Sequence, residues 1–452
     1  MITIYSSPEN KKRLEFAAGH LFRSVLGVEF QITSDPAFYR AQTGPCIFYS
    51  DEHLSYGLRI SPHGLLSETG VRPLPELQTG EWKGLFCFFH SGQGDIPFDV
   101  FAASFYLLSL YEEYLPSAPL DEHGRFDYRY SLLYRNGCLE IPIIDRWAYQ
   151  IQASLEKAGF STAGFPLRPF RAVDTYDIDH PFRYRYKGWL KNTGGILRDA
   201  LKRDWKAVGE RLSVLFLGRD DPYMQAIRRI RSVQQQSQKA YYLFVLLGKS
   251  GKFGRSTVYP PKAYYRYLKA LSGATIGLHP SYETYPSERS YRTLTTEKQQ
   301  LETILQQPVS CSRQHFLRMQ TPGTFRALLQ AGIREDFTLA FAQAPGFRSG
   351  TAIPHPFYDI QQDEPTALLL RPTVMMDSTL IIHWKLSPEA ALEKIKALID
   401  ACKQSGGDYL SLWHNSNLAG SEEGNPWIRV WLESRRYAGE IEKTAGAEKI
   451  SE

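Results

Sequence analysis

Four short segments of the chain place ionisable side chains beside turn-forming residues. They are Asp174-Thr-Tyr-Asp177-Ile-Asp179-His180-Pro181, Gly277-Leu-His279-Pro-Ser281, Ser312-Arg313-Gln-His315 and Leu412-Trp413-His414-Asn415-Ser416. Imidazole nitrogen and carboxylate oxygen suit a borderline divalent cation such as Zn²⁺, with one position left for water. Asp179 and His279 are the natural ligand candidates. Asp177 stands two residues before Asp179, so in a strand both side chains point the same way. One can then bind the metal while the other takes a proton from bound water. His414 has the chemistry of an acid that protonates a leaving group. Each segment alone is weak, because Asp is common where strands give way to turns. The set of four carries the argument.

Such residues act together only if strands deliver them to one end. Each segment follows a run of strand length: Phe170–Tyr176, Ala274–Leu278, Val309–Ser312 and Tyr409–Leu412. Between them the pattern turns helical, over Leu197–Phe216, Pro261–Leu271, Glu297–Leu305, Thr321–Leu329, Ser387–Cys402 and Trp427–Tyr437. Tyr241–Leu247 reads as another strand, and further strands are expected near 337–341, 345–348 and 372–376. Alternation of this kind argues for a parallel sheet, and best for a (β/α) barrel, in which chemistry sits at the C-terminal strand ends. His414 would then lie beside the first strand. The Pro- and Gly-rich stretch Ser161–Phe170 marks a boundary. Residues 1–165 read as a smaller α+β domain, with strands in MITIY and Cys46–Tyr49 and a helix over Asp99–Tyr114. Residues 166–452 form the barrel.

Composition excludes several classes. With 452 residues, 43% of them hydrophobic, the chain has ample material for buried cores, which rules out general disorder. A net charge of +5 over this length is too mild to imply a nucleic-acid partner. Five scattered cysteines without a CxxC pair argue against a disulfide framework and a thiolate zinc site. The N-terminus lacks the apolar core of a secretory signal, and no run approaches the ~20 apolar residues of a membrane span. A cytoplasmic protein is the expectation. The unusual feature is 13% aromatic residues, which serve core packing first and sugar stacking second.

The segments also resemble the motifs of the polysaccharide deacetylase family, carbohydrate esterase family 4, also called the NodB homology domain. Thr175-Tyr-Asp177-Ile-Asp179 is similar to its first motif and Ile276-Gly-Leu-His279-Pro-Ser281 to its second. Arg313 falls where the third, Arg-containing motif lies. Asp336-Phe-Thr-Leu-Ala-Phe with Gly346-Phe-Arg348-Ser-Gly350-Thr351 resembles a segment common in the superfamily. Leu412-Trp413-His414-Asn415 resembles the last motif, and Met376-Asp377-Ser-Thr-Leu fits one branch. The N-terminal part, notably Pro97–Pro116 and His123-Gly-Arg125-Phe, resembles an accessory domain of unknown role that precedes such deacetylase domains.

The resemblance implies a barrel of the deacetylase type, for which seven strands and a distorted closure are admitted. It implies a hydrolase of C–N bonds other than peptide bonds, removing N-acetyl or O-acetyl groups from a polysaccharide or glycan precursor. Asp177 would be the base, His414 the acid, and Asp179 and His279 would hold a divalent ion, zinc before others. Arg313, Arg348, Asp336 and Trp413 would orient groups or substrate, and a backbone N–H near Arg313 would meet the oxyanion. The second motif normally carries another His four residues on; here that residue is Glu283. Glu283 itself, His315 from the neighbouring strand, or no third ligand are the readings this leaves, with His315 preferred. The last would make the chain a catalytically impaired carbohydrate-binding relative. A glycoside hydrolase would need paired carboxylates, for which Asp177 with Asp336 is the pair available. His355 is a further candidate lining residue, and His383 is expected mid-strand.

Overall fold

The computed structural model describes residues 1–7, 11–52, 56–74, 77–92, 94–237, 239–248, 259–269, 271, 273–284 and 288–447. The chain opens with four strands, β1 (Ile2–Ser6), β2 (Phe30–Thr33), β3 (Cys46–Tyr49) and β4 (Leu58–Ile60). They pair in the order β2-β1-β3-β4, all parallel. β1 and β3 are central and buried at every position, as parallel strands covered on both faces must be. An antiparallel hairpin follows, β5 (Thr79–Trp82) with β6 (Leu85–Phe88). The main sheet of this part is therefore of α/β type rather than the expected α+β, with the hairpin as its antiparallel element.

The helix expected over Asp99–Tyr114 spans Val100–Leu108 and is buried at all nine positions. Asp99 caps it, its carboxylate accepting the Ala102 N–H at 2.9 Å. It stops at Leu110, which takes the left-handed conformation (φ 58°) and turns the chain into a short 3₁₀ segment, Tyr111–Tyr114.

Among the described residues, nine strands make the second sheet: β7 (Arg171–Ile178), β8 (Tyr241–Leu246), β9 (Thr275–His279), β10 (Cys311–Ser312), β11 (Glu335–Asp336), β12 (His355–Asp359), β13 (Glu364–Leu370), β14 (Met375–Met376) and β15 (Asp408–His414). Their order is β12-β13-β11-β10-β9-β8-β7-β15-β14, parallel except for β12 against β13. As a hydrogen-bonded ladder this is open, since among the described residues neither β12 nor β13 pairs with β14. One extended stretch nonetheless joins the two ends. Its start, Leu369–Leu370, lies beside β11, and its end, Met375–Met376, lies beside β15. Between them Pro372 has no N–H to give, while Thr373 donates to Leu339 O and Val374 to Leu410 O.

Side chains alternate across this sheet. Phe244, Cys311, Phe337 and Leu410 form one cluster on its inner side. Tyr176, Leu243, Leu278, Tyr409 and Trp413 belong to the larger cluster shared with the helices. Two expectations fail locally. Residues 337–341 and 345–348 form no strand; they are a buried loop. The helix over Leu197–Phe216 is two helices, Trp189–Leu201 and Trp205–Phe216. Arg203 at φ 56° breaks the run, and Asp204 caps the second helix through the Ala207 N–H.

The two parts of the chain share one core. Phe341, Ala344, Ile353, Tyr358 and Ile360 of the second part lie in the apolar cluster of the first. Phe347 N–H donates to Leu139 O and Ile144 N–H to Gly350 O. The approach at Gly346 (φ 130°) is so close that a Cβ would fall 2.4 Å from the Leu139 carbonyl oxygen.

Candidate metal centre

The parallel strands end on one face, and β7, β9, β10, β14 and β15 each deliver polar side chains there. In register, His414 lies directly beside Asp177. Three ligand atoms converge: Asp179 Oδ1 is 3.3 Å from His279 Nε2 and 3.5 Å from His315 Nδ1, and the two imidazole nitrogens are 3.1 Å apart. A tetrahedral Zn²⁺ with ligands at ~2.0–2.1 Å separates them by about 3.3 Å. These three residues form the metal-competent His/Cys/Asp/Glu group among the described residues.

The donor chemistry fits a cation. His279 Nδ1 lies 2.6 Å from the Arg313 carbonyl, which can only accept, so Nδ1 carries the proton and Nε2 presents a lone pair to the centre. Asp179 Oδ1 is buried with no well-formed hydrogen bond. Burial opposes ionisation of Asp179, but His315, His279 and His414 outweigh it and hold the carboxyl far below its usual range. Burial likewise pulls His279 down, and Asp177 and Asp179 more than compensate.

His315 owes its position to an unusual turn. Its own N–H donates to Pro280 O. Phe316 (φ 63°) and Leu317 (φ 50°) then take left-handed conformations that reverse the chain. The N-terminal part holds this turn: Arg125 Nη1 donates to the Phe316 carbonyl at 2.5 Å while its Nε binds Asp121 at 2.8 Å. Arg318 Nε reaches back to His123 O at 2.7 Å. Glu283, the residue at the usual second-His position, is exposed on the short helix Tyr282–Thr284 and is no part of the triangle.

Asp177 is buried against the centre, with Oδ2 3.7 Å from His279 Nε2. Its other oxygen accepts from Arg313 Nη1 at 2.9 Å. Arg313 is wholly buried, donating also to Phe337 O and Thr373 Oγ1 and lying over the Phe244 ring at 4.6 Å. Across the site, His414 Nδ1 binds Asp377 Oδ1 at 2.7 Å and Nε2 lies 4.0 Å from Asp179 Oδ2. Burial lowers the pKa of His414, but Asp377, Asp179 and Asp177 push it up to about 10. The Asp377 carboxylate is fixed in turn by the His414 N–H and by Asn417 Nδ2.

Several expected neighbours lie elsewhere. Arg348 is engaged with the N-terminal part: its Nε pairs with Glu113 at 2.9 Å, tying the two parts of the chain together. Asp336 lies on the neighbouring strand β11. It is spent on the Ser312 hydroxyl (2.7 Å) and the Thr338 N–H (2.9 Å), so it presents no second carboxylate to a sugar. Trp413, between two inward residues of β15, necessarily faces the helices and is buried there, out of reach of a substrate. Near the expected oxyanion donor, the Arg313 N–H is engaged with Leu278 O and the Gln314 N–H with Thr338 Oγ1. His355 is buried beside Ser349 and His20, away from the triangle. His383 ends a helical turn and is exposed, not mid-strand.

The sequence reading gives Asp377 a motif match but no role. The signal was present, since it follows the short strand β14 as Asp179 follows β7. The Asp121–Arg125 turn gave no comparable signal, because its contact lies about 190 residues away.

Residues 2–159 match a family of unknown function, DUF7033. Among curated proteins none matches the chain. Solved structures similar to it include a protein from Mycobacterium smegmatis assigned as a polysaccharide deacetylase, at 14% identity over 63% of this chain and 93% of that one, TM-score 0.38. Another so assigned, from Pseudomonas aeruginosa PAO1, has 10% identity over 62% and 85%, TM-score 0.35. A carbohydrate esterase family 4 pseudoenzyme from Bacillus anthracis has 11% identity over 59% and 60%, TM-score 0.28.

Proposed function

We propose that this chain is a metal-dependent hydrolase that removes N-acetyl or O-acetyl groups from a carbohydrate, working at the end of a distorted barrel closed by the 364–376 stretch. The observation that carries the reading is the triangle of Asp179, His279 and His315, flanked by one carboxylate and one imidazole that are not part of it. A divalent cation held there, zinc before others, supplies Lewis-acid polarisation of an acyl carbonyl and lowers the pKa of water.

The chain's own residues do the proton work. Arg313 occupies Asp177 Oδ1 and leaves Oδ2 facing the centre, where it accepts a proton from water. Asp377 fixes the Nδ1–H of His414, so Nε2 is the atom that hands a proton to the departing amine or alkoxide. Without it C–N cleavage would expel a poor leaving group. Water is limited by burial: Asp177, His279 and Arg313 are almost entirely covered.

The test combines metal analysis with product analysis. The purified chain is expected to hold about one divalent ion and to release acetate from an acetylated oligosaccharide without shortening it. Asp177→Asn is expected to cut turnover at least ~100-fold with metal content unchanged. Retained turnover in that variant would remove Asp177 from its role. A chain with no bound metal and no acetate release would be the carbohydrate-binding relative. Shortened sugars would mean a glycoside hydrolase.

A further inference from the structure

Between β7 and the helix Pro222–Ser237, on the face that carries the metal-competent triangle, the chain inserts the hairpin of helices Trp189–Leu201 and Trp205–Phe216. Its polarity is inverted. Asn192, Asp199 and Arg211 are buried between the helices, with Arg211 donating to Asn192 Oδ1 (3.2 Å) and Asp199 Oδ2 (2.6 Å) and lying over the Tyr184 ring at 4.6 Å. Several large apolar side chains point outward, while Val214 is buried. Leu190, Leu197 and Leu201 recur at helical spacing on the first helix and are 63–76% exposed. Trp205, Leu212 and Phe216 do the same on the second, with Trp205 67% and Phe216 76% exposed. Scattered exposed apolar residues are ordinary, but two adjacent stripes are not.

Charge identifies what covers them. Residues 183–219 hold ten basic against three acidic residues, six against three within the hairpin 189–217 itself, while the other 415 hold 43 against 45. The whole positive excess of the chain therefore lies in this one segment. Lys191, Lys202, Arg203 and Lys206 are exposed alongside the apolar stripes. A second copy packing its own hairpin here would set like charges together. An anionic bilayer attracts the same charge and accepts Trp, Leu and Phe at its interface. Helices of 13 and 12 residues are too short to span it, so they would lie along its surface.

We infer that the 189–217 hairpin docks this protein on the surface of an anionic membrane, with the strand-end face toward the lipid. This does not rest on the deacetylase reading. Co-sedimentation of the full chain with vesicles tests it. Binding is expected to vesicles of phosphatidylcholine with about one third phosphatidylglycerol, to weaken in high salt, and to be much lower on phosphatidylcholine alone. Trp205→Ser with Phe216→Ser, and separately Lys202→Glu with Arg203→Glu and Lys206→Glu, should each lower the partition at least about tenfold. Both sets lie at exposed positions, so unfolding midpoints should stay unchanged. No binding to the anionic vesicles, or full binding by both variants, would overturn the inference. So would a dimer that Trp205→Ser with Phe216→Ser dissolves, since a second copy would then own the face.

Discussion

Replacing Arg313 with lysine would keep the charge and lose the fork. The guanidinium serves Asp177, Phe337 O and Thr373 at once, from a site with no solvent access. A lysine ammonium cannot match that fork, and a buried carboxylate left poorly paired is costly. Arg313→Lys is therefore expected to lose about 3 kcal/mol of stability, read by denaturant unfolding. The ligand assignment yields a second contrast. Loss of a group that merely orients a ligand weakens metal binding 10- to 100-fold, so loss of a ligand should cost at least about 100-fold. His315→Ala is expected to show that loss in a metal titration, and Glu283→Gln is expected to show none. The reverse result would restore Glu283, the residue at the position where the resemblance has its second His.

At the scale of elements, strand ends explain the site and caps explain its support. Asp99, which caps the central helix of the N-terminal part, is wholly buried. Burial pushes its carboxyl up to about 6, and donors from Ala102, His63 and Tyr49 offset only part of the effect. A carboxyl raised in the folded state favours folding below its ordinary value of 3.8 and loses that advantage as pH rises through about 6. The difference is on the order of 3 kcal/mol. Asp99→Asn keeps a capping oxygen without the charge. Its unfolding midpoint is expected to gain on that of the parent between pH 4 and pH 7. A constant difference across that range would show that Asp99 is not the group responsible. The split of the expected 197–216 helix belongs to this scale too. A continuous apolar and basic pattern reads as one helix, yet a left-handed residue at Arg203 and a cap at Asp204 make a hairpin of it.

Across the whole molecule, the N-terminal part packs against the nine-stranded sheet's side of the chain and shares its core. It covers Phe341, Ile353 and Tyr358, pairs Glu113 with Arg348, and grips the Phe316 turn through Arg125. Residues 166–452 expressed alone would expose that apolar surface and leave Arg348 unpaired. They are expected to be insoluble or, where soluble, to melt at lower temperature and bind metal more weakly than the full chain. A truncated chain with the stability and metal affinity of the parent would make the first part independent. The mild net charge of +5 also changes meaning at this scale. It is the sum of a near-neutral body and one basic segment, residues 183–219, that contains the hairpin.

The amino-acid sequence alone shows which chemistry is on offer: Asp177, Asp179, His279, His315 and His414 at strand ends, with Arg313 beside them. It could do so because strand-end placement is local, written in an apolar run followed by a polar turn. The folded chain selects which of these groups meet. It brought His315 rather than Glu283 to the triangle, set Arg313 on Asp177, turned Trp413 into the helical layer, and supplied Asp377 behind His414. Those choices depend on strand register, on side-chain alternation, and on a turn held by an arginine from another part of the chain. None of these is a property of neighbouring residues.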